Sequence, residues 1–154
     1  MDIAAAARRV QTECLCTHAR QTTRLLSRIY DELLRPLGLQ LTQFTVLIGA
    51  ARFGEAGAPI GKLAEKLVTD RTTLTRNIGP LAKGGYLRVG RSPSDARVKV
   101  VRLTKKGERA IAAGMPLWEK AQLAVRARLG DARADSLAAE LEATSTGLAG
   151  WSPS

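Results

Sequence analysis

The chain of 154 residues is predicted to be mainly α-helical with a small β-wing, an α+β fold. Three observations predict it. Apolar residues recur at three- and four-residue steps through most of the sequence, the signature of amphipathic helices. Near the middle, two short helical patterns are followed at once by an alternating hairpin between Arg88 and Leu103. The net charge of +10 is also unevenly placed: from Arg71 to Arg109 there are 11 Lys and Arg against Asp95 and Glu108, whereas from Ala110 onward 4 bases face 5 acids.

Taken in order, Leu15, Ala19, Thr22, Leu25, Leu26, Ile29, Leu33 and Leu34 define a long helix from about residue 12 to 35, ended by Pro36 and Gly38. Arg20, Arg24, Arg28 and Arg35 decorate its other side. Thr42 is the expected N-cap of a second helix through Phe44, Leu47, Ile48 and Ala51, and residues 54–59 form a breaker-rich loop. Residues 60–67 make a short third helix. Thr69 or Asp70 caps the fourth, whose inward positions Leu74, Ile78 and Leu81 leave Arg71, Thr72, Thr75 and Arg76 outward. Gly79-Pro80 predicts a kink or early end, because proline removes a helical donor and disfavours the helical region at the residue before it. Lys83-Gly84-Gly85 closes that helix, residues 86–90 and 98–103 alternate as two strands, and Ser92-Pro93-Ser94-Asp95 turns between them.

Thr104 caps a fifth helix carrying Ile111, Leu117, Trp118, Ala121, Val125 and Leu129, with a bend expected at Gly114 and Pro116. A last helix, about 131–146, places Leu137, Ala138, Leu141 and Leu148 on one side, and the short alanine-rich N-terminus and the Ser-Pro-Ser tail are expected to fray. The expected organisation is one domain over 1–154. Residues 40–103 form a winged helix-turn-helix lobe, and residues 12–36 and 104–148 form terminal dimerisation helices, too long and too apolar on one side for so small a lobe to cover.

Composition excludes several classes. A basic chain that is 45% hydrophobic is a folded protein rather than a disordered polycation. No apolar run approaches the roughly 18 to 20 residues of a membrane span, and the N-terminus lacks a signal peptide's apolar core, so a cytoplasmic location is expected. Cys14 and Cys16, two apart within a helical pattern, suit neither a structural disulfide nor a zinc site without further ligands. His18 is the only histidine; with Cys14 and Cys16 it makes a thin ligand set whose two-residue steps point to different helix faces, so no metal and no cofactor are expected. An enzyme would need a general base beside a nucleophile, a metal cluster or a phosphate-binding glycine loop, and none stands out. Charge coinciding with the two short helices and hairpin points instead to double-stranded DNA.

The residues that carry a resemblance are Pro36-Leu37-Gly38-Leu39 and Thr42-Gln43-Phe44 after the first helix, Leu63-Ala64-Glu65-Lys66-Leu67, Thr72-Thr73-Leu74-Thr75-Arg76, Gly85-Tyr86-Leu87, Asp95-Ala96-Arg97, and Val101 through Gly107. In this order and spacing they resemble the MarR (multiple antibiotic resistance regulator) family of winged helix-turn-helix transcriptional regulators, over nearly the whole chain. The resemblance implies a homodimer with interlocked terminal helices, each lobe addressing half of a palindromic operator, commonly as a repressor released by a small phenolic or lipophilic effector. Gly79-Pro80 departs from the pattern.

Arg71, Thr72, Thr73, Thr75, Arg76 and Asn77 form the expected major-groove set: arginine can donate two bonds to guanine, asparagine can bridge the adenine edge, and threonine offers a hydroxyl or a methyl. By resemblance Arg97 is the wing-tip arginine of the minor groove. Asp95 is suited to holding the wing, since phosphate repels it, and Arg91 and Lys99 are expected on the DNA backbone. For the effector, Cys14, Cys16, Arg20, Tyr30 and Trp118 are the candidates. Cys16 and Tyr30 stand fourteen positions apart, within roughly 40° on one helix face but about 21 Å along the axis. They can meet only across a twofold axis. Peroxide-sensing relatives resemble this arrangement, although Arg20 stands where they carry a second tyrosine. Trp118, with Leu117 and Gln122, is the candidate lining of a cavity between terminal helices and lobe, and an aromatic effector between Cys16, Arg20 and Trp118 is the expectation, beside a thiol switch and an effector-free architectural protein as alternatives.

Overall fold

The computed structural model describes residues 1–151, so the Ser-Pro-Ser tail lies outside the described residues. Among the described residues seven α-helices and three short strands follow one another: α1 (Ile3–Glu13), α2 (Leu15–Leu34), α3 (Leu41–Ala51), β1 (Ala58–Pro59), α4 (Ile60–Lys66), α5 (Arg71–Lys83), β2 (Leu87–Arg91), β3 (Lys99–Leu103), α6 (Lys105–Leu129) and α7 (Asp131–Leu148). The mainly α architecture with a β-wing is as predicted; four local expectations need correction.

The first concerns the start. The alanine-rich N-terminus forms its own helix, opened by Asp2, whose carboxylate accepts from the Ala4 N–H at 2.9 Å. The helical run then breaks at Cys14, which is extended (φ −79°, ψ 107°) and serves as C-cap of α1 and N-cap of α2. The His18 ring Nε2 meets the Thr12 carbonyl at 3.1 Å across this break. Second, α3 begins at Leu41, one residue before the expected Thr42 cap, because Asp31 of α2 accepts from the Leu41 N–H at 2.6 Å and Gln43 accepts from the Gln40 N–H at 3.1 Å. Two orphan donors of the helix start are satisfied this way.

Third, the loop before α4 contains β1, so the sheet has three strands in the order β1-β3-β2, both pairs antiparallel. Val101 is opposite Ala58 on one side and Val89 on the other. Fourth, the early end that Gly79-Pro80 allowed does not occur. α5 runs through Gly79-Pro80 and α6 is a continuous 25-residue helix through Gly114 and Pro116. The clash that forbids helix before proline is partly with the preceding Cβ, and Gly79 has none. At Gly114 the missing side chain serves packing: a Cβ there would lie 2.3 Å from Cε2 of Phe44, so α6 crosses α3 at a distance only glycine permits.

The core sits in the lobe. Leu34, Leu47, Leu63, Leu74, Leu81, Val100 and Val101 are its largest fully buried side chains. They come from α2, α3, α4, α5 and β3, so one leucine of the first long helix anchors it to the lobe. Ala121 and Val125 of α6 are buried farther along, whereas α1 and α7 bury no residue.

Candidate nucleic-acid interface

Asp70 sets up α5. Its carboxylate accepts from the Thr73 N–H at 2.8 Å and from the Thr73 hydroxyl at 2.6 Å, a side-chain cap on the first free amides of the helix. The Thr73 hydroxyl and amide hold the Asp70 carboxyl below the ordinary aspartate range. Thr73 therefore gives its hydroxyl proton to its own helix. So does Thr75, which donates to the Arg71 carbonyl at 2.7 Å, and the Asn77 amide donates to the Thr73 carbonyl at 3.2 Å. Thr72 and Arg76 are exposed and make no side-chain hydrogen bond among the described residues. The six positions expected to face a major groove thus divide into engaged and free side chains, a division that helical periodicity alone does not reveal.

The wing is held by its own polar groups. Asp95 accepts from the Arg97 N–H at 2.9 Å and from Arg97 Nε at 3.3 Å, and its carbonyl accepts from the Val98 N–H at 3.0 Å. Its carboxylate thus braces the turn and the arginine beside it, while the Arg97 side chain stays 92% exposed. Arg91 is turned inward along the wing, donating to the Ala96 carbonyl at 2.6 Å. Two further bases have structural duties. Arg102 donates to the carbonyls of Glu55 and Ala56 at 3.0 and 3.1 Å, and Lys106 donates to the Gly84 carbonyl at 2.8 Å while lying 4.5 Å from the Tyr86 ring centre. Part of the basic segment is therefore mortar between loop, strand and helix.

Four other cations converge. Between α4–α5 and the wing runs a cleft of about 580 Å³ lined by Lys62, Arg71, Thr75, Arg97 and Lys99, with Glu65 as its acid. Lys62 escaped the sequence reading; its place on the short helix before α5 was the available signal. Among the described residues no group of three or more His, Cys, Asp and Glu side chains is placed to hold a metal ion, and no helix is long and apolar enough to cross a membrane.

The effector candidates are dispersed. Trp118 lines a cavity of about 220 Å³ with Leu41, Phe44, Thr45, Ile48 and Met115, and a second with Glu119, Gln122, Leu123 and Arg126. Neither includes Cys16 or Arg20, so the expected grouping of Cys16, Arg20 and Trp118 within one chain is corrected: the first two lie exposed on α2, near the end remote from the lobe. Tyr30 is half-buried on α2, and desolvation raises its pKa. Of the two thiols, both free, Cys14 rather than Cys16 holds the special position. It makes no side-chain capping bond, yet the Thr17 hydroxyl and amide lower its pKa.

Residues 39–99, the lobe through the wing, match the MarR family model. The transcriptional regulator MosR of M. tuberculosis is 33% identical over 89% of this chain and 98% of its own, with a TM-score of 0.73. This chain is a member of the MarR family. A structure of MosR in complex with DNA gives 36% identity over 89% of this chain and 99% of that one, at a TM-score of 0.74. A cysteine-to-serine mutant of MarR from E. coli, complexed with operator DNA, shares the fold at a TM-score of 0.78, with 22% identity over 88% of this chain and 96% of that one. Among curated protein sequences none matches. The MarR assignment makes the chain a transcriptional regulator by family, and the α4–α5 pair with the β2–β3 hairpin is its winged helix-turn-helix.

Proposed function

We propose that the protein is a dimeric, sequence-specific repressor that reads a palindromic operator with α5 in the major groove and the β2–β3 wing in the minor groove, and that a small aromatic or lipophilic ligand releases it. The observation that carries the reading is the convergence of Lys62, Arg71, Arg97 and Lys99 on one cleft beside the exposed face of α5. Cations gathered there neutralise a phosphate backbone and release its counterions. MosR, of similar length and fold, has been crystallised in complex with DNA. Thr72, Thr75, Arg76 and Asn77 are the proposed base-side set, Thr73 serving the cap; Arg97 is the proposed minor-groove arginine, with Lys99 on the backbone and Arg91 and Asp95 shaping the wing.

The effector reading rests on the cavity between α3 and Trp118 of α6. Its lining is apolar apart from Thr45, and its size suits a single aromatic ring. It lies where the lobe meets the helix leading to the C-terminus, so a ligand that prefers one angle between them shifts the spacing of the two α5 helices in a dimer. The test is a titration of selected operator and random duplex across salt, with and without small aromatic acids. An inverted repeat with half-site centres roughly 10 base pairs apart, preferred strongly over random DNA, is expected. Equal affinity for both duplexes at physiological salt would favour an architectural protein and overturn the proposal.

A thiol switch is a second reading, favoured by Cys14 at the α1–α2 break with its pKa lowered by Thr17. Thiolate character governs oxidation. Operator binding by wild type and by the Cys14→Ser/Cys16→Ser protein, with and without mild hydroperoxide, separates the two. Oxidant-insensitive binding by the wild type eliminates the switch.

A further inference from the structure

We propose that Arg71 is a phosphate clamp bridging the recognition helix and the wing, rather than a base reader, and that Gly61 is the residue that positions it. This rests on the DNA-binding reading above and refines the role of one residue within it. Arg71 opens α5 directly after the Asp70 cap. Its side chain does not follow Thr72 and Arg76 along the outer face. It folds back across the first turn of α4: a Cβ at Gly61 would lie 2.8 Å from Nη2, 3.4 Å from Cζ and 3.6 Å from Nε of Arg71, and these are its nearest non-local atoms. The guanidinium thus rests on the bare side of the glycine, in space that any other residue at position 61 would occupy.

That placement puts Arg71 in the cleft with Lys62, Arg97 and Lys99. Arg97 has an ion pair there, with Asp95; Arg71, Lys62 and Lys99 have none among the described residues. Like charges held together repel in the free protein and are relieved by a polyanion. The cleft also has a definite station on a duplex. With α5 in the major groove and the wing in the adjacent minor groove, what lies between them is the sugar–phosphate ridge that separates the grooves. An arginine that reads guanine must extend its fork to the groove floor. Arg71, backed against α4, faces the ridge.

The experiment uses the full chain with its selected operator and a random duplex of equal length, titrated over a salt series, for wild type, Arg71→Ala, Gly61→Ala and the double variant. Arg71→Ala is expected to weaken both duplexes by the same factor and to lower the salt slope by about one unit. Gly61→Ala should reproduce part of that loss in the wild-type background and none in the Arg71→Ala background, without lowering the melting temperature, because its methyl meets only a flexible side-chain end. Two results overturn the clamp: Arg71→Ala that weakens operator while sparing random DNA, or a Gly61→Ala loss of equal size in both backgrounds. Wild-type protein that binds no duplex at any salt concentration would sink the regulator reading itself, an outcome distinct from either.

Discussion

At Gly114 two helices meet through a residue with no side chain. A methyl there would stand 2.3, 2.8 and 3.1 Å from three atoms of the Phe44 ring, and Phe44 is 2% exposed, so the ring has nowhere to retreat. Gly114→Ala should therefore cost about 1 to 3 kcal/mol, the usual penalty for overpacking, visible as a melting temperature several degrees lower. Because the same ring lines the cavity under Trp118, the variant should also change ligand release more than DNA affinity. Val68, in the turn between α4 and α5, presents the opposite case. It has φ +48° and is 82% exposed, a left-handed conformation that a β-branched residue adopts at a cost with no contact to offset it. Val68→Asn should raise stability by about 1 kcal/mol in urea unfolding. Asp70 carries a pH dependence whose sign follows from its lowered pKa: the ionised cap contributes stability above the ordinary aspartate range and is lost as pH falls through the depressed folded value. In Asp70→Asn, which keeps an N-cap acceptor without a titrating charge, that acid-side loss should disappear from the unfolding profile and Thr73 amide protection should stop depending on pH. An unchanged acid-side slope would show that the cap is not its source.

Among the elements, α5 shows how two helix-breaking residues cancel. Gly79 has open space where a Cβ would go, so Gly79→Ala alone meets no neighbouring element. The obstacle is local, since an alanine before Pro80 brings its Cβ against the proline ring. The single substitution should thus gain little or lose, whereas in a Pro80→Ala background the same change should add about 1 kcal/mol of helix stability. Additivity of the two would refute that account. The same residues explain what the sequence could disclose. Caps at Asp70 and Thr104, and the leucine periodicity of α2, α3 and α5, were legible because each depends on neighbours within a turn or two. The break at Cys14 was not, having neither glycine nor proline to mark it. β1 is two residues long and exists by pairing with β3, more than forty positions away. The cationic cleft was half legible: charge density marked Arg71, Arg97 and Lys99, while the selection of Lys62, and the diversion of Arg91, Arg102 and Lys106 to internal carbonyls, depend on how loop and wing fold back on the helices.

For the whole molecule, the terminal helices carry apolar side chains that one chain leaves uncovered. α1 and α7 bury nothing, yet Ile3, Val10, Leu141 and Leu148 project from them, and Leu25 and Leu123 project from α2 and α6. Between α2 and the α6–α7 pair runs a groove of about 710 Å³ lined by Leu25, Leu26, Ile29, Val125, Leu129 and Leu137. The only polar fastening of α7 to α6 among the described residues is Arg126, which reaches Asp131 at 3.2 Å and Asp135 at 2.6 Å, an exposed arrangement of small worth. Helices of 11 and 18 residues with no buried side chain are marginal in water, so something must cover them, and a second copy presenting the same faces is self-complementary by symmetry. Leu25→Asp and Leu141→Asp give this content. Both side chains are exposed in one chain, so in a monomer each substitution should stay within about 0.5 kcal/mol of neutral. In the proposed dimer each should shift sedimentation to the monomer, reduce helical circular dichroism as α1 and α7 fray, and abolish operator binding while leaving the lobe folded, since two recognition helices are then no longer held one helical turn apart. Variants that remain dimeric, or a wild type that sediments as a folded monomer at micromolar concentration, would overturn both the interface and the operator symmetry inferred from it.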